Sequence, residues 1–290
     1  MESIVRIKKR NKRKLITQII CIVAAIIPVI ILLFPFIWII PTAFKSNSEA
    51  INLPMTWLPL DGVGFDNFAK IFELDVNGAT FLKSLFFTLF IAIVATVGGL
   101  FINILAAYAL ARYNFKGKKI IWAFLLVGMF VPGITIQLTS INVVSTLKLT
   151  DTILVLLLPG LAQSYTIFFL RQFFLGIPSS VGEAEEIDGA PSFSICWKVY
   201  VPQTITPIII VGMGMFMGNW NSYIWPTLTI IKNTEDMTMI MQMMKSLSSY
   251  SSLGYGAVVA ASLIVMVVPL TLYALLQKYI VEGASLTGIK

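Results

Sequence analysis

A chain of 290 residues that is 57% hydrophobic and 12% charged, with a mean hydropathy of +0.87, is too apolar to be a water-soluble globule. It carries 21 basic against 14 acidic residues, no histidine, and two cysteines, Cys21 and Cys196, that imply no disulfide framework. These counts exclude a disulfide-stapled domain and any His-based catalytic or metal site, and leave an all-α integral membrane protein.

Six uncharged windows follow one another along the chain: Leu15–Phe44, Ser84–Ala111, Ile120–Leu147, Thr152–Leu170, Val199–Ile231 and Ser246–Gln277. A helix needs about 20 apolar residues to cross the hydrocarbon, and barrel strands are far shorter. The windows predict six transmembrane helices. The resulting division is a basic tail at 1–14, a first transmembrane helix at 15–41 and an extracytoplasmic loop at 42–83. A core of five further helices follows at 84–281, then a C-terminal tail at 282–290.

The tail before the first span holds Arg6, Lys8, Lys9, Arg10, Lys12, Arg13 and Lys14, and the loop after the second holds Arg112, Lys116, Lys118 and Lys119. Positive charge marks the cytoplasmic side, so both termini are expected there. The tail abuts a membrane helix and lacks interleaved aromatics, which fits anionic lipid headgroups rather than nucleic acid. In the outward loop, Pro54, Trp57, Pro59, Asp61, Gly62 and Gly64 are turn-forming. The spacing of Phe65, Phe68, Ile71 and Phe72 predicts one short amphipathic helix on the membrane surface.

The windows themselves hold no Asp, Glu, Lys, Arg or His, only uncharged polar residues such as Asn103 and Gln137. Proton-coupled transporters usually need such charges near the midplane, which argues against proton coupling, although sodium can use backbone carbonyls; energy for active transport is then expected from a separate ATPase chain. No G-x-x-x-x-G-K-[ST] run is present to hold ATP here, and no nucleophile–His–Asp set or Cys/His cluster supports an enzyme.

Between the fourth and fifth windows lies Glu183-Ala184-Glu185-Glu186-Ile187-Asp188-Gly189-Ala190, with four carboxylates in six residues on the otherwise basic side. Pro178, and a capping box of Ser180 with Glu183, predict a helix start, and Gly189 predicts a left-handed stop. The helix covers about 179–189. Val181, Ala184 and Ile187 form an apolar stripe beside the acidic edge of Glu183 and Glu186. That pairing suits a docking knob for a groove with an apolar floor and a basic rim.

At the outer end of the fifth window, Asn219, Trp220, Asn221, Tyr223 and Trp225 combine ring faces with hydrogen-bonding groups suited to sugars. With Gln137 they are the substrate-path candidates. The same residues also suit an interfacial aromatic belt or interhelical hydrogen bonds. The loop from Pro226 to Ser252 carries Met237, Met239, Met241, Met243 and Met244, which fit adaptable packing.

The acidic segment resembles the EAA loop of ABC importer permeases, in which E-A-A is followed three residues later by G. Glu183, Ala184, Asp188, Gly189 and Ala190 match, while Glu185 replaces the usual Ala. Val199, Pro202 and Pro207 are similar to the run that follows. Phe34-Pro35-Phe36-Ile37-Trp38 with Thr42, Phe44 and Lys45 resembles the first-span signature of the carbohydrate branch. So do Ala106–Arg112 with Phe115 and Gly117, Asn219–Pro226, and the tail from Gly283 to Lys290. Across nearly its whole length the chain resembles a maltose-type six-span permease of the binding-protein-dependent inner-membrane component family.

That resemblance implies a type I ABC importer permease fold with a cytoplasmic coupling helix, in the inner membrane of a bacterium. It implies a heterodimer with a second permease, two ATPase subunits that hold ATP and Mg, and an extracytoplasmic sugar-binding protein. It assigns coupling to Glu183, Ala184, Asp188 and Gly189, and gives this chain no cofactor, metal or catalytic residue. The expected function is translocation of a sugar, in particular an oligosaccharide. An ABC permease for an amino acid or peptide, and an ATP-independent channel or scaffold, stay open as alternatives.

Overall fold

The computed structural model describes residues 2–52, 54, 56–76, 78–249 and 253–288, with side chains described from Ile16 onward except at 282 and 284–288. The described chain is helical apart from one hairpin. Its elements are α1 (Glu2–Thr42), α2 (Asn47–Ile51), α3 (Asp66–Glu73), β1 (Asp75–Val76), β2 (Ala79–Thr80), α4 (Phe81–Arg112), α5 (Lys118–Met129), α6 (Gly133–Thr146) and α7 (Ile153–Leu157). There follow α8 (Ser164–Gly176), α9 (Ser179–Ile187), α10 (Ser192–Ile195), α11 (Val201–Gln203), α12 (Ile205–Trp220), α13 (Ile224–Thr229), α14 (Thr234–Met237), α15 (Ile240–Ser249) and α16 (Tyr255–Gly288). The chain divides into two compact units, Met1–Ile71 with Ser251–Leu263, and Phe72–Tyr250 with Ile264–Lys290.

In the first unit α1 is one helix that already begins at Glu2, so the basic tail and the first span are continuous. Residues 16–35 of its crossing segment Ile16–Thr42 are exposed, Leu32 by 68%, whereas Thr42 at the end of the segment is buried. The loop beyond it is built on polar side chains that satisfy turn backbone. Asn67 donates to the Ala43 and Lys45 carbonyls at 2.8 and 2.9 Å. The Glu49 carboxylate accepts from the Thr56 hydroxyl and the Leu60 N–H, both at 2.8 Å, and these donors hold its pKa below the ordinary value. The expected amphipathic helix forms as α3, with Ile71 buried. Residues 42–83 hold more order than that single helix, because α2 and the β1–β2 hairpin form as well.

In the second unit α4 is the axis. Its small and apolar residues (Ile104, Ala107, Tyr108, Leu110) pack with Ile167, Leu170 and Phe174 of α8 and Ile208 and Val211 of α12. A second cluster joins Ile91 of α4 to Val144, Val155, Leu156, Ile230 and Met239.

Three helical segments are long and apolar enough to cross a membrane unbroken: Ile16–Thr42, Phe81–Arg112 and Tyr255–Val281. The other three expected spans are bent pairs rather than straight helices. Lys118–Met129 meets Gly133–Thr146 at 111°, Ile153–Gly160 meets Ser164–Gly176 at 42°, and Ser192–Gln203 meets Ile205–Trp220 at 89°. Six spans result when each pair counts as one. Proline explains the breaks at the first and third pairs, since Pro132 precedes α6 and Pro202 and Pro207 flank Thr204.

The break in the second pair is held by Asn103. Its amide donates to the Leu161 carbonyl at 2.7 Å and its oxygen accepts from the Gln163 N–H at 2.9 Å. Buried at 0% exposure, Asn103 supplies the partners that freed backbone needs in lipid.

Two boundaries also differ from expectation. The sixth window began at Ser246, yet its start belongs to α15. The span itself begins at Tyr255, after Gly254 turns the chain with φ +80°. The expected tail at 282–290 continues as helix through Gly288.

Candidate functional site

The acidic helix α9 runs over nine residues, Ser179–Ile187. Its cap differs from the expected box: Pro178 occupies the N-cap without a side-chain bond, and Ser180 lies inside the first turn. Proline with its fixed φ starts the helix two residues earlier than a Ser180 cap allows. Its end is as expected. Gly189 has φ +81°, its N–H donates to the Glu186 carbonyl at 3.0 Å, and the Ala190 N–H donates to the Glu185 carbonyl at 2.9 Å. These two bonds form a complete Schellman stop.

Glu183, Ala184, Asp188 and Gly189 are all exposed, as are Glu185 and Glu186. Ile187 is 86% exposed, so the C-terminal end of the apolar stripe is uncovered among the described residues, while Val181 at its other end is 37% exposed. Gly182 is the one buried residue of α9, and it faces Tyr200, where a Cβ would lie 2.7 Å from the hydroxyl oxygen.

Tyr200 is 1% exposed and is held from three sides: the Phe174 ring at 6.0 Å and 88°, the Tyr108 ring at 5.1 Å, and the Arg112 guanidinium 4.6 Å from its ring centre. Arg112 ends α4 and donates to the carbonyls of Phe174 and of Ile177, the latter at 2.5 Å. Arg171 of α8 donates in return to the Leu110 carbonyl at 3.0 Å and lies 4.0 Å from the Trp122 ring centre. Each helix thus closes its neighbour's C-terminal end with a cation, where the dipole favours positive charge. Hydrogen bonds to charged groups contribute about 1.5–3 kcal/mol. In the sequence Arg112 reads as a topological charge and as the last residue of the Ala106–Arg112 signature, and neither reading points to its part in closing a helix end.

The substrate-path candidates do not stay together. Gln137 of α6 and Asn219 of α12 line a common cavity of about 380 Å³, with Ser140, Gln163, Ser222 and Trp225. Trp220 is instead 1% exposed, stacked on Phe216 at 6.0 Å, with its indole N–H unpartnered. Asn221 and Tyr223 are exposed and absent from the cavity wall. Gln163, Ser140 and Ser222 were not singled out from sequence, because they come from separate segments of the chain that meet only at this wall. Outside the bundle, Asp151 accepts from the N–H groups of Ile231 and Lys232 at 2.6 Å each, clasping two loops.

Among known proteins, the AraQ arabinooligosaccharides transport system permease protein of Bacillus subtilis is 26% identical over 260 residues, covering 89% of this chain and 90% of that one. The UgpE sn-glycerol-3-phosphate transport system permease protein of Yersinia enterocolitica is 29% identical over 279 residues, 94% and 97% of the two chains. The YcjP inner membrane ABC transporter permease protein of Escherichia coli is 30% identical over 264 residues, 90% and 92%. In three dimensions the fold is similar to a chain of a bacterial ABC transporter involved in import of the acidic polysaccharide alginate. The TM-score is 0.76 at 22% identity, covering 91% of this chain and 96% of that one. The binding-protein-dependent transport system inner membrane component family matches residues 99–285, and this chain belongs to it.

Proposed function

We propose that this chain is the translocation subunit of an ATP-driven, binding-protein-dependent sugar importer, and that α9 is the coupling helix through which ATPase closure reaches the bundle. The observation that carries the reading is α9 itself. It is an exposed, firmly stopped helix with an uncovered Ile187 beside Glu183, and it is seated on the bundle through Gly182 against Tyr200. Glu183 makes a charge-assisted contact with a basic residue of the ATPase, Ala184 lets the two surfaces approach, and Asp188 and Gly189 set the exit turn. Force on α9 passes to Tyr200, then through Arg112 to the adjoining ends of α4 and α8.

In this reading both termini are cytoplasmic. The partners are a second permease, two ATPase subunits that hold ATP and Mg, and an extracytoplasmic sugar-binding protein. ATP hydrolysis belongs to the ATPase chains and not to this one. An oligosaccharide cargo is supported by the arabinooligosaccharide permease among the relatives and by the amide-lined cavity.

The test is Glu183→Ala in the reconstituted complex. Loss of a charged hydrogen bond, about 1.5–3 kcal/mol, lowers ATP hydrolysis stimulated by the loaded binding protein by about tenfold or more while assembly persists. Unchanged stimulation counts against coupling through this helix.

A further inference from the structure

The cavity of about 380 Å³ is lined without a single Lys, Arg, Asp or Glu. Its polar groups are two hydroxyls, Ser140 and Ser222, and three amides, Gln137, Gln163 and Asn219. Asn219 spends its amide donor on the Met215 carbonyl at 2.9 Å, and Gln163 is engaged with Gly160 and Thr166. Gln137, Ser140 and Ser222 make no side-chain hydrogen bond among the described residues, so their capacity is open to a solute. Apolar walls from Ile91, Leu156 and Met239 complete the surface.

Three glycines make the room. Gly160, Gly214 and Gly218 all line this wall, and a Cβ placed on any of them would meet no atom within 4 Å. Gly214 and Gly218 are four apart on one face of α12, so both leave the same side open. Glycine inside a helix is disfavoured relative to alanine, and no close approach of this chain's described atoms explains these two. The volume sits at the lower end of ligand pockets, about 300–1,000 Å³.

The geometry points to this cavity as a specificity subsite, within this subunit, for an uncharged hydroxyl-bearing segment of the solute, with Gly214 and Gly218 setting its width. It rests on the importer reading and deepens it. Amides and hydroxyls both donate and accept, as the hydroxyls of a saccharide ring do, and the apolar walls match the C–H faces of the ring. An anionic solute group would be stripped of water with no countercharge from this chain, and charge so placed is costly.

The test is thiol labelling in the assembled complex, in a Cys21→Ser background with the buried Cys196 retained. Gly218→Cys is treated with neutral hydroxyethyl methanethiosulfonate and anionic sulfonatoethyl methanethiosulfonate. The neutral-to-anionic rate ratio is compared with that at Val63→Cys on the exposed outer loop. The ratio at Gly218→Cys exceeds the control by at least about tenfold, because an anion without a partner is disfavoured in such surroundings. Gly214→Cys is a second site with the same expectation. Equal ratios, a preference for the sulfonate, or protection of both sites from both reagents overturns the assignment. Labelling does not require transport. A preserved ratio with no effect of Glu183→Ala therefore overturns coupling through α9 alone, and normal coupling with a ratio equal to the control overturns this subsite alone.

Discussion

Gly182→Ala is the sharpest probe of how α9 is seated. The added Cβ would stand 2.7 Å from the Tyr200 hydroxyl oxygen, whereas carbon–oxygen contacts close at about 3.3–3.6 Å. Relief requires a shift of about 0.6 Å or more. Tyr200 cannot supply it, since Phe174, Tyr108 and Arg112 hold its ring and it is 1% exposed. The helix must move instead. Overpacking costs about 1–3 kcal/mol, offset in part by the helix preference of Ala over Gly of about 1 kcal/mol. The other ring atoms near the new Cβ, Cε2 and Cζ, lie at 3.4 and 3.5 Å, which is ordinary contact. Removing only the hydroxyl therefore reopens the seat. ATP hydrolysis stimulated by the loaded binding protein should fall in Gly182→Ala and recover in the double variant with Tyr200→Phe, with an interaction term of about 0.5–3 kcal/mol. Undiminished stimulation in Gly182→Ala, or no recovery in the double variant, refutes the reasoning.

The other expectations concern the ends of helices and the outer clasp. Gly189→Val places a β-branched residue at φ +81°, a strain of about 1–2 kcal/mol, and should reduce co-purification of the ATPase subunits; normal recovery and coupling would count against the turn's role. Arg112→Gln removes the cation from the Phe174 and Ile177 carbonyls and should lower the melting midpoint of the complex by an amount equivalent to about 1–3 kcal/mol, with Arg112→Lys partly restoring it. Asp151 has its pKa held below the ordinary 3.8, first by the Lys232 N–H and then by those of Ile231 and Asn233. A depressed carboxylate stabilises above its unfolded value and loses that contribution as pH falls through the folded one. Protease access to the 229–233 loop should thus stay constant from neutral pH to about pH 5 and rise only in stronger acid; Asp151→Asn should raise access at neutral pH.

Some features are legible along the chain because their physics is local. Lipid excludes charge, so uncharged windows locate helical segments without regard to their neighbours, and each span, continuous or bent, overlaps one window, although all but the first run past one end or both. The stop at Gly189 is equally local, since a left-handed residue closing an acidic helix needs only its own turn. Hydropathy, however, carries no direction, and it cannot distinguish a straight span from one bent by 111°. Whether a break survives in lipid depends on partners far off in sequence, as Asn103 shows by serving Gln163 from 60 residues away. The capping box failed for a nearer reason, because Pro178 can begin a helix with no side-chain acceptor.

Side-chain destinations follow the same division. Asn219 and Trp220 are adjacent and equally suited to a sugar by composition, yet one lines the cavity and the other is sealed against Phe216. Successive helical residues point about 100° apart, so only the packing of α12 chooses between them. Composition and spacing by themselves determined the membrane class, the approximate spans and the acidic helix. The bends, the reciprocal arginine closures and the meeting of Gln137 with Asn219 were decided by tertiary structure, because each requires groups from separate helices to arrive at one point.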